Sequence, residues 1–170
     1  NNTMADFSAK VGVRTTQGLA YGMANAVRPG KTPLSSMSPS IVMKDGKPFL
    51  SVGAAGGPRI ITSTLQLIIN AIDYGMMMDS AVKSPHMCCL TLDQGLELEE
   101  GFSPDTIRIL KERGHKIKET SDFGVLLVLP NGIENLDGAF FPGGTSRVDG
   151  GGGVLTESGA ICIDGFCFCK

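Results

Sequence analysis

A strand-like run that ends in two glycines and passes directly into a long helical pattern constrains the fold most strongly. It reads Val52-Gly53-Ala54-Ala55-Gly56-Gly57-Pro58-Arg59. Paired glycines let a backbone approach a ligand closely because they have no Cβ, and Pro58 suits a first helical turn, where its missing N–H costs nothing. The amides of Gly56 and Gly57 would then lie at the positive end of the helix dipole. The pattern predicts an anion site, or an oxyanion hole if a nucleophile faces it.

A pair of serines lies upstream of this run, within Pro33-Leu34-Ser35-Ser36-Met37-Ser38-Pro39. Two adjacent hydroxyl groups can both donate to one carboxylate. Ser35 and Ser36 are therefore candidates for binding an acidic group beside the glycine pair. Taken alone, the two serines are more often ordinary loop residues, and Gly56-Gly57 is more often an ordinary turn before a helix.

Local patterns along the chain predict strand pairs that alternate with helices. Two strand-like runs, 40–44 and 48–52, flank Asp45-Gly46, a strong hairpin signal. Apolar residues at helical spacing predict a helix over 59–74 that ends at Gly75 and is covered on most sides, because its apolar positions occupy more than one face. Further expected elements are a short helix at 78–84, a strand at 96–99, a helix from a Ser103 cap to Arg113, a strand at 116–118, and a second hairpin of 125–129 and 133–140 around Pro130-Asn131-Gly132.

These elements predict an α+β fold in which helices pack on an antiparallel sheet, with the 40–52 hairpin central. The length of 170 residues is that of one domain. Residues 1–142 are expected to form the core, whose first 38 residues are mostly loop. Residues 143–170 are expected to form a glycine-rich, poorly ordered tail.

The composition excludes several classes of partner. A net charge of -2 gives no reason to expect nucleic acid, and the longest apolar stretch, 125–129, is too short to span a bilayer. The five cysteines fit no zinc signature, and the two histidines lack ligands at a suitable spacing, so we expect no metal and no cofactor. Arg59 is expected either to form a structural ion pair or to help orient the site.

The chain resembles the C-terminal catalytic (small) subunit of the γ-glutamyltransferases, or glutathione hydrolases. Besides the Ser-Ser and Gly-Gly runs, the matching segments are Asn1-Asn2-x-Met4-x-Asp6-Phe7-Ser8, Asp73-Tyr74-Gly75 and Gly101-Phe102-Ser103-Pro104-Asp105, in order over residues 1–140. The resemblance implies part of the αββα sandwich of N-terminal-nucleophile hydrolases. It also implies a proenzyme (zymogen) that cleaves itself, a heterodimer with a large subunit, and a periplasmic, secreted or cell-surface location.

The resemblance further implies roles for individual residues. Ser35 and Ser36 would hold the α-carboxylate of a γ-glutamyl substrate, Asp6 would pair with its α-ammonium, and the Gly56 and Gly57 amides would form the oxyanion hole. Thr3 occupies the position where the family has Gln or Glu beside the substrate amine, and Ala5 the position where a second acid is common. The amine pocket is therefore expected to be poorer than usual.

The nucleophile implied by the resemblance is an N-terminal threonine, expected upstream of Asn1, so the isolated chain is predicted to be inactive. Thr15 and Thr16 follow the wrong motif to serve instead. The expected reaction is γ-glutamyl transfer or hydrolysis through an acyl-enzyme, the chemistry of glutathione metabolism. The alternative is an inactive fragment or degenerate copy that keeps only the fold and a binding surface. A phosphate-binding role ranks last, because no P-loop lysine follows the glycines.

Overall fold

A computed structural model describes residues 4–8, 10–15, 19–119, 128–147, 153–155, 161–163 and 166–168. Before the first strand the described chain is mostly loop, as predicted, with short 3-10 turns at Met4–Asp6 and Met23–Asn25. The helices are α1 (Ile60–Ile72), α2 (Met78–Lys83) and α3 (Pro104–Glu112). The strands are β1 (Ser40–Lys44), β2 (Lys47–Ala55), β3 (Met87–Cys88), β4 (Leu96–Leu98), β5 (Ile117–Glu119), β6 (Leu129–Leu136), β7 (Ala139–Gly143), β8 (Gly153–Leu155), β9 (Ile161–Ile163) and β10 (Phe166–Phe168).

The main sheet has four antiparallel strands in the order β1-β2-β6-β7. The predicted hairpin is confirmed: β1 and β2 are joined by Asp45 and Gly46, which both have positive φ, 51° and 76°. Such a two-residue turn matches the twist of the strands it connects. Within the described residues β2 is an interior strand and β1 an edge strand, so only the second half of the hairpin is central.

The hydrophobic core lies between one face of this sheet and the helices α1 and α2. Leu50 and Val52 of β2 are buried there. They pack against buried residues of the two helices, namely Leu67, Ala71, Met78, Ala81 and Val82. The predicted helix over 59–74 and the short helix before Pro85 are thus confirmed, apart from one or two residues at each end.

The second predicted hairpin is wrong. Residues 129–136 form one continuous strand, and the turn falls at Asp137-Gly138, where φ is 52° and 92°. Pro130-Asn131-Gly132 resembles a turn locally, but its residues pair with Ala54, Gly53 and Val52 of β2. The long β2–β6 ladder overrides the local signal. Residues 125–127 lie outside the described part of the chain.

As expected, α1 is covered on most sides in the described structure, and one face is the exception. Ile61, Leu65 and Ile72 follow one another along one face of α1, and each is about half exposed (54%, 54% and 49%). Apolar side chains are exposed on the other face of the main sheet as well: Ile41, Ile133 and Phe140. A row of exposed apolar side chains such as that on α1 is typical of a protein–protein contact.

A smaller sheet has the order β3-β4-β5, with β4 and β5 parallel. It contains the strand predicted at 96–99 and the strand predicted at 116–118. The predicted cap of α3 is confirmed, because the Ser103 hydroxyl accepts a hydrogen bond from the Thr106 amide at 3.1 Å. Gly114, with φ of 88°, follows the end of the helix. The strands β8, β9 and β10 form a third antiparallel sheet.

The expectation of a poorly ordered tail from residue 143 is wrong for residues 143–147. The Gly143 Cα lies so close to α2 that an added Cβ would be 2.6 Å from the Met78 carbonyl oxygen. Arg147 is buried and forms an ion pair with the buried Glu99, and its guanidinium donates to the carbonyls of Val82 (2.8 Å) and Ser84 (2.9 Å). Apart from this correction, the division of the chain into a core (1–142) and a glycine-rich tail (143–170) stays a prediction.

A buried histidine adjoins this ion pair. The His86 Nδ1 lies 2.9 Å from the Ser63 hydroxyl, and the His86 amide donates to Glu99 at 2.7 Å. Burial, together with the positive charge of Arg147, lowers the pKa of His86 to about 4, although the charge of Glu99 and a backbone hydrogen bond at Ala81 oppose the shift. The folded protein therefore holds this imidazole neutral.

None of the helices in the described ranges has both the length and the apolar character needed to cross a membrane.

Replacing Arg147 with Met should destabilise the protein strongly, because Glu99 would remain buried without its counter-charge. Breaking one side of such a pair costs about 3–5 kcal/mol. Urea unfolding followed by circular dichroism measures the loss. Arg108→Met is the matched control, since Arg108 pairs with Asp105 and Glu112 on the exposed side of α3. Equal midpoints for the two variants would contradict the assigned role.

Acid should destabilise the fold through His86. The folded pKa is about 4 and the ordinary value is about 6.5, so the unfolded state takes up the proton first. Stability is fully present above pH 6.5 and is lost as the pH falls toward 4, by about 3 kcal/mol from this group. Unfolding midpoints measured across this range should depend less on pH in His86→Gln. The control, His115→Gln, should keep the wild-type slope, and a His86→Gln slope equal to it would refute the assignment.

Candidate active site

Asp6 lies at the end of the first 3-10 turn, next to a loop at residues 22–26. The next two residues, Phe7 and Ser8, are buried. The Ser8 amide donates to the Asn25 carbonyl at 2.9 Å, and the Ser8 hydroxyl donates to the Gly22 carbonyl at 3.1 Å. These contacts fix the backbone next to Asp6, while its own side chain is only half-buried and within reach of a ligand.

Ser35 and Ser36 lie in the segment that leads into β1. The Ser35 hydroxyl accepts from the Met37 amide at 3.2 Å, which leaves its own O–H available as a donor. The Ser36 carbonyl accepts from the Ser38 hydroxyl at 3.1 Å. Among the described residues the Ser36 hydroxyl makes no hydrogen bond. Both hydroxyl groups can therefore donate to an anion.

The glycine pair follows the end of β2 and adopts a conformation that favours glycine. The φ angles of Gly56 and Gly57 are 146° and 62°, a range that side chains with a Cβ rarely adopt. A 3-10 turn, Gly57–Arg59, then continues without a break into α1. The predicted arrangement of strand, glycine turn and helix is confirmed, and the turn lies at the N-terminal, positive end of the helix.

The register of the β1–β2 hairpin places the serines and the glycines at the same end of the main sheet. Ser40 pairs with Val52. Ser36 precedes Ser40 by four residues and Gly56 follows Val52 by four, so in an antiparallel pair both lie beyond the same end of the β1–β2 ladder, although β2 continues to pair with β6 as far as Ala55. The sheet thus places the two predicted donor pairs at the same end, and their action on one ligand stays a prediction.

Arg59 anchors the start of α1 through an ion pair. Its guanidinium binds the Glu97 carboxylate through two hydrogen bonds, of 2.8 and 3.1 Å, and Lys118 contacts the same carboxylate at 3.1 Å. Burial alone would raise the pKa of Glu97, but the hydrogen bonds from Arg59 and Lys118 outweigh it and lower the pKa below its usual value. Of the two roles considered for Arg59, the structure supports the structural ion pair.

Asn25 is a residue that sequence reasoning missed. Its side-chain amide donates to the Asp6 carbonyl at 2.6 Å and accepts from the Leu34 amide at 3.0 Å. One carboxamide therefore connects the segment of Asp6 to the segment of Ser35 and Ser36. Its neighbours are Ala24 and Ala26, so no motif marks it, and its partners are 19 and 9 residues away in sequence.

Other candidates contribute less. Thr3 and Thr16 lie outside the described residues, and the Thr15 hydroxyl accepts from the Leu19 amide at 3.2 Å within a loop. Cys88 and Cys89 are free thiols, and burial raises the pKa of Cys88. In the part of the chain that the structure describes, no group of three His, Cys, Asp or Glu side chains is arranged to hold a metal ion.

Known proteins match both the sequence and this architecture. The family model described as gamma-glutamyltranspeptidase matches residues 1–140. The glutathione hydrolase proenzyme of Escherichia coli (strain K12) is 52% identical over 117 residues, which are 69% of this chain and 20% of that protein. The solved structure of the Helicobacter pylori gamma-glutamyltranspeptidase T380A mutant is 39% identical, with a TM-score of 0.78 over 85% of this chain and 78% of that chain.

The antiparallel sheet, its helical layer and the glycine turn therefore define an α+β fold, the αββα sandwich of N-terminal-nucleophile hydrolases, of which this chain forms a part. The chain spans about one fifth of the length of the curated relatives it matches. It belongs to the γ-glutamyltranspeptidase family.

Proposed function

We propose that the protein containing this chain transfers the γ-glutamyl group of glutathione and related amides to water or to an amine. In this member of the family, the proposal rests on the arrangement of the binding segments. The two serines and the glycine turn lie at one end of the main sheet, and Asn25 connects the segment of Asp6 to that of the serines. Each of these groups matches one part of a γ-glutamyl substrate.

The proposed roles follow from charge and hydrogen bonding. The hydroxyl groups of Ser35 and Ser36 donate to the α-carboxylate, and the Asp6 carboxylate pairs with the α-ammonium. An N-terminal threonine outside residues 1–170, which the family resemblance implies, attacks the γ-carbonyl with its own amine as base, and the amine of the scissile amide leaves to give the acyl-enzyme. The amides of Gly56 and Gly57 donate to the oxyanion that forms, and the positive end of α1 stabilises the same charge.

A large subunit of the same proenzyme is the proposed partner. The name proenzyme, carried by the relatives in Escherichia coli and Bacillus subtilis, supports it. The exposed apolar residues on α1 and on the outer face of the main sheet also support it, since a partner would bury them. A location outside the cytoplasm rests on the resemblance alone and stays a prediction.

Removing either serine hydroxyl should weaken substrate binding. We suggest a hybrid in which residues 1–170 replace the matching segment of the Escherichia coli relative, assayed by release of p-nitroaniline from a γ-glutamyl anilide. Loss of a hydrogen bond to a charged group should raise KM about tenfold or more in Ser35→Ala and Ser36→Ala. The control Ser40→Ala, which removes a hydroxyl that donates to the Ser38 carbonyl, should leave KM unchanged.

A hybrid that cleaves itself but has no turnover would favour the degenerate copy. Active serine variants with a wild-type KM would exclude the proposed carboxylate site.

Introducing a charge on the exposed face of α1 should weaken subunit association. Leu65→Asp would place a carboxylate in the middle of the apolar stripe, and burying it would cost several kcal/mol. Size-exclusion chromatography of the hybrid after processing should show separated subunits or aggregates. Ile109→Asp, on the exposed side of α3, is the control and should remain associated. Intact heterodimer in Leu65→Asp would show that the large subunit does not cover this stripe.

A further inference from the structure

We propose that Asn25 is a positioning residue that sets the distance between the Asp6 carboxylate and the hydroxyl groups of Ser35 and Ser36. The inference rests on the proposed function, and it identifies what determines selectivity for a substrate that carries both an α-ammonium and an α-carboxylate. The Asp6 segment precedes Asn25 by 19 residues and Leu34 follows it by 9. No regular strand or helix joins the two segments directly within the described residues.

All four polar groups of Asn25 are used in this connection. Its amide donates to the Gly22 carbonyl at 3.1 Å, and its carbonyl accepts from the Ser8 amide at 2.9 Å. Its side chain donates to the Asp6 carbonyl at 2.6 Å and accepts from the Leu34 amide at 3.0 Å. The residue is thus fixed to its own loop by the backbone and holds both binding segments by the side chain.

The loop that carries Asn25 is itself braced. Lys31 extends its ammonium group to the carbonyls of both neighbours of Asn25, with a hydrogen bond to Ala24 and a second, of 3.4 Å, to Ala26. A side chain that connects two segments controls their spacing only if its own backbone does not move. Lys31 restrains the backbone of Asn25 in this way, and the 3-10 turn at Met23–Asn25 restrains it as well.

The chemistry of the side chain explains why asparagine suits this position. A carboxamide is planar and offers a donor and an acceptor at a fixed separation. Aspartate could still accept from the Leu34 amide, but it has no donor for the Asp6 carbonyl and would place a negative charge against it. Alanine would lose both links, and glutamine would displace both segments by one methylene.

The substrate gives this spacing its importance. The α-ammonium and the α-carboxylate are attached to one carbon atom, so their separation cannot adjust to the protein. The carboxylate of Asp6 and the two hydroxyl groups must therefore be held at a matching separation before binding, or one contact is made at the expense of the other. Both contacts lie away from the reacting carbonyl, so loss of this preorganisation should act on binding more than on the chemical step.

The test compares Asn25→Ala with Asn135→Ala in the same hybrid. Asn135 has the same hydrogen-bonding pattern, donating to the Pro48 carbonyl at 2.9 Å and accepting from the Gly138 amide at 2.8 Å. It lies at the opposite end of β2, about 25 Å from the glycine turn at the usual rise of a strand. Asn25→Ala should raise KM for the γ-glutamyl anilide about tenfold, with kcat changed by less than about threefold. Asn135→Ala should change neither.

A second readout separates positioning from general destabilisation. Glutaryl p-nitroanilide lacks the α-amine, so the ratio of kcat/KM for the γ-glutamyl and glutaryl anilides measures how much the enzyme gains from that group. This ratio should fall about tenfold in Asn25→Ala and stay at the wild-type value in Asn135→Ala. A variant that merely folds poorly would lose active enzyme, which lowers both rates together and leaves the ratio unchanged.

If the alanine variant does not fold, Asn25→Asp replaces it in both measurements, because aspartate keeps the hydrogen bond from the Leu34 amide. An unchanged KM and an unchanged ratio in whichever variant folds would overturn the inference. If Ser35→Ala raises KM while the Asn25 variants do not, the proposed function stands and only this inference fails. If the wild-type hybrid processes itself but neither anilide reacts, the proposed function fails, and this inference fails with it.

Discussion

The ion pair between Arg147 and Glu99 is the interaction on which the rest of this structure depends. The side chains are 0% and 3% exposed, and burying two charges is favourable only when every donor and acceptor is satisfied. The carbonyls at the end of α2 and the backbone amide of His86 supply the remaining partners. Three separate parts of the sequence, at 82–86, 99 and 147, are thereby held in one place.

A second carboxylate, that of Glu97, extends this restraint to the candidate site. Glu97 and Glu99 belong to the same short segment, and Glu97 holds Arg59 at the start of α1. The helix start follows directly on Gly56 and Gly57, so a fixed helix start also restrains this turn. One segment of the smaller sheet thus supports both the core and the glycine turn, which explains why two acidic residues are buried there.

Sequence patterns predicted those features that depend on neighbouring residues. The Asp45-Gly46 turn, the Ser103 cap and the start of α1 after Pro58 are all decided within a few residues, so they could be identified without the structure. The strand β6 could not, because Pro130-Asn131-Gly132 resembles a turn and only its pairing with β2 decides otherwise. Asn25 and Arg147 were missed for a related reason, since their partners are distant in sequence and no local motif marks them.

The pairing of β2 with β6 also determines when the fold can form. Of the paired residues, Ala55 and Leu129 have the smallest separation in sequence, which is 74 residues. Contacts between residues so far apart along the chain form slowly because a long loop must first close. During synthesis, β2 and the helix that follows it emerge well before their partner strand does. The ladder that makes β2 an interior strand therefore forms late, after the residues of β6 have emerged from the ribosome.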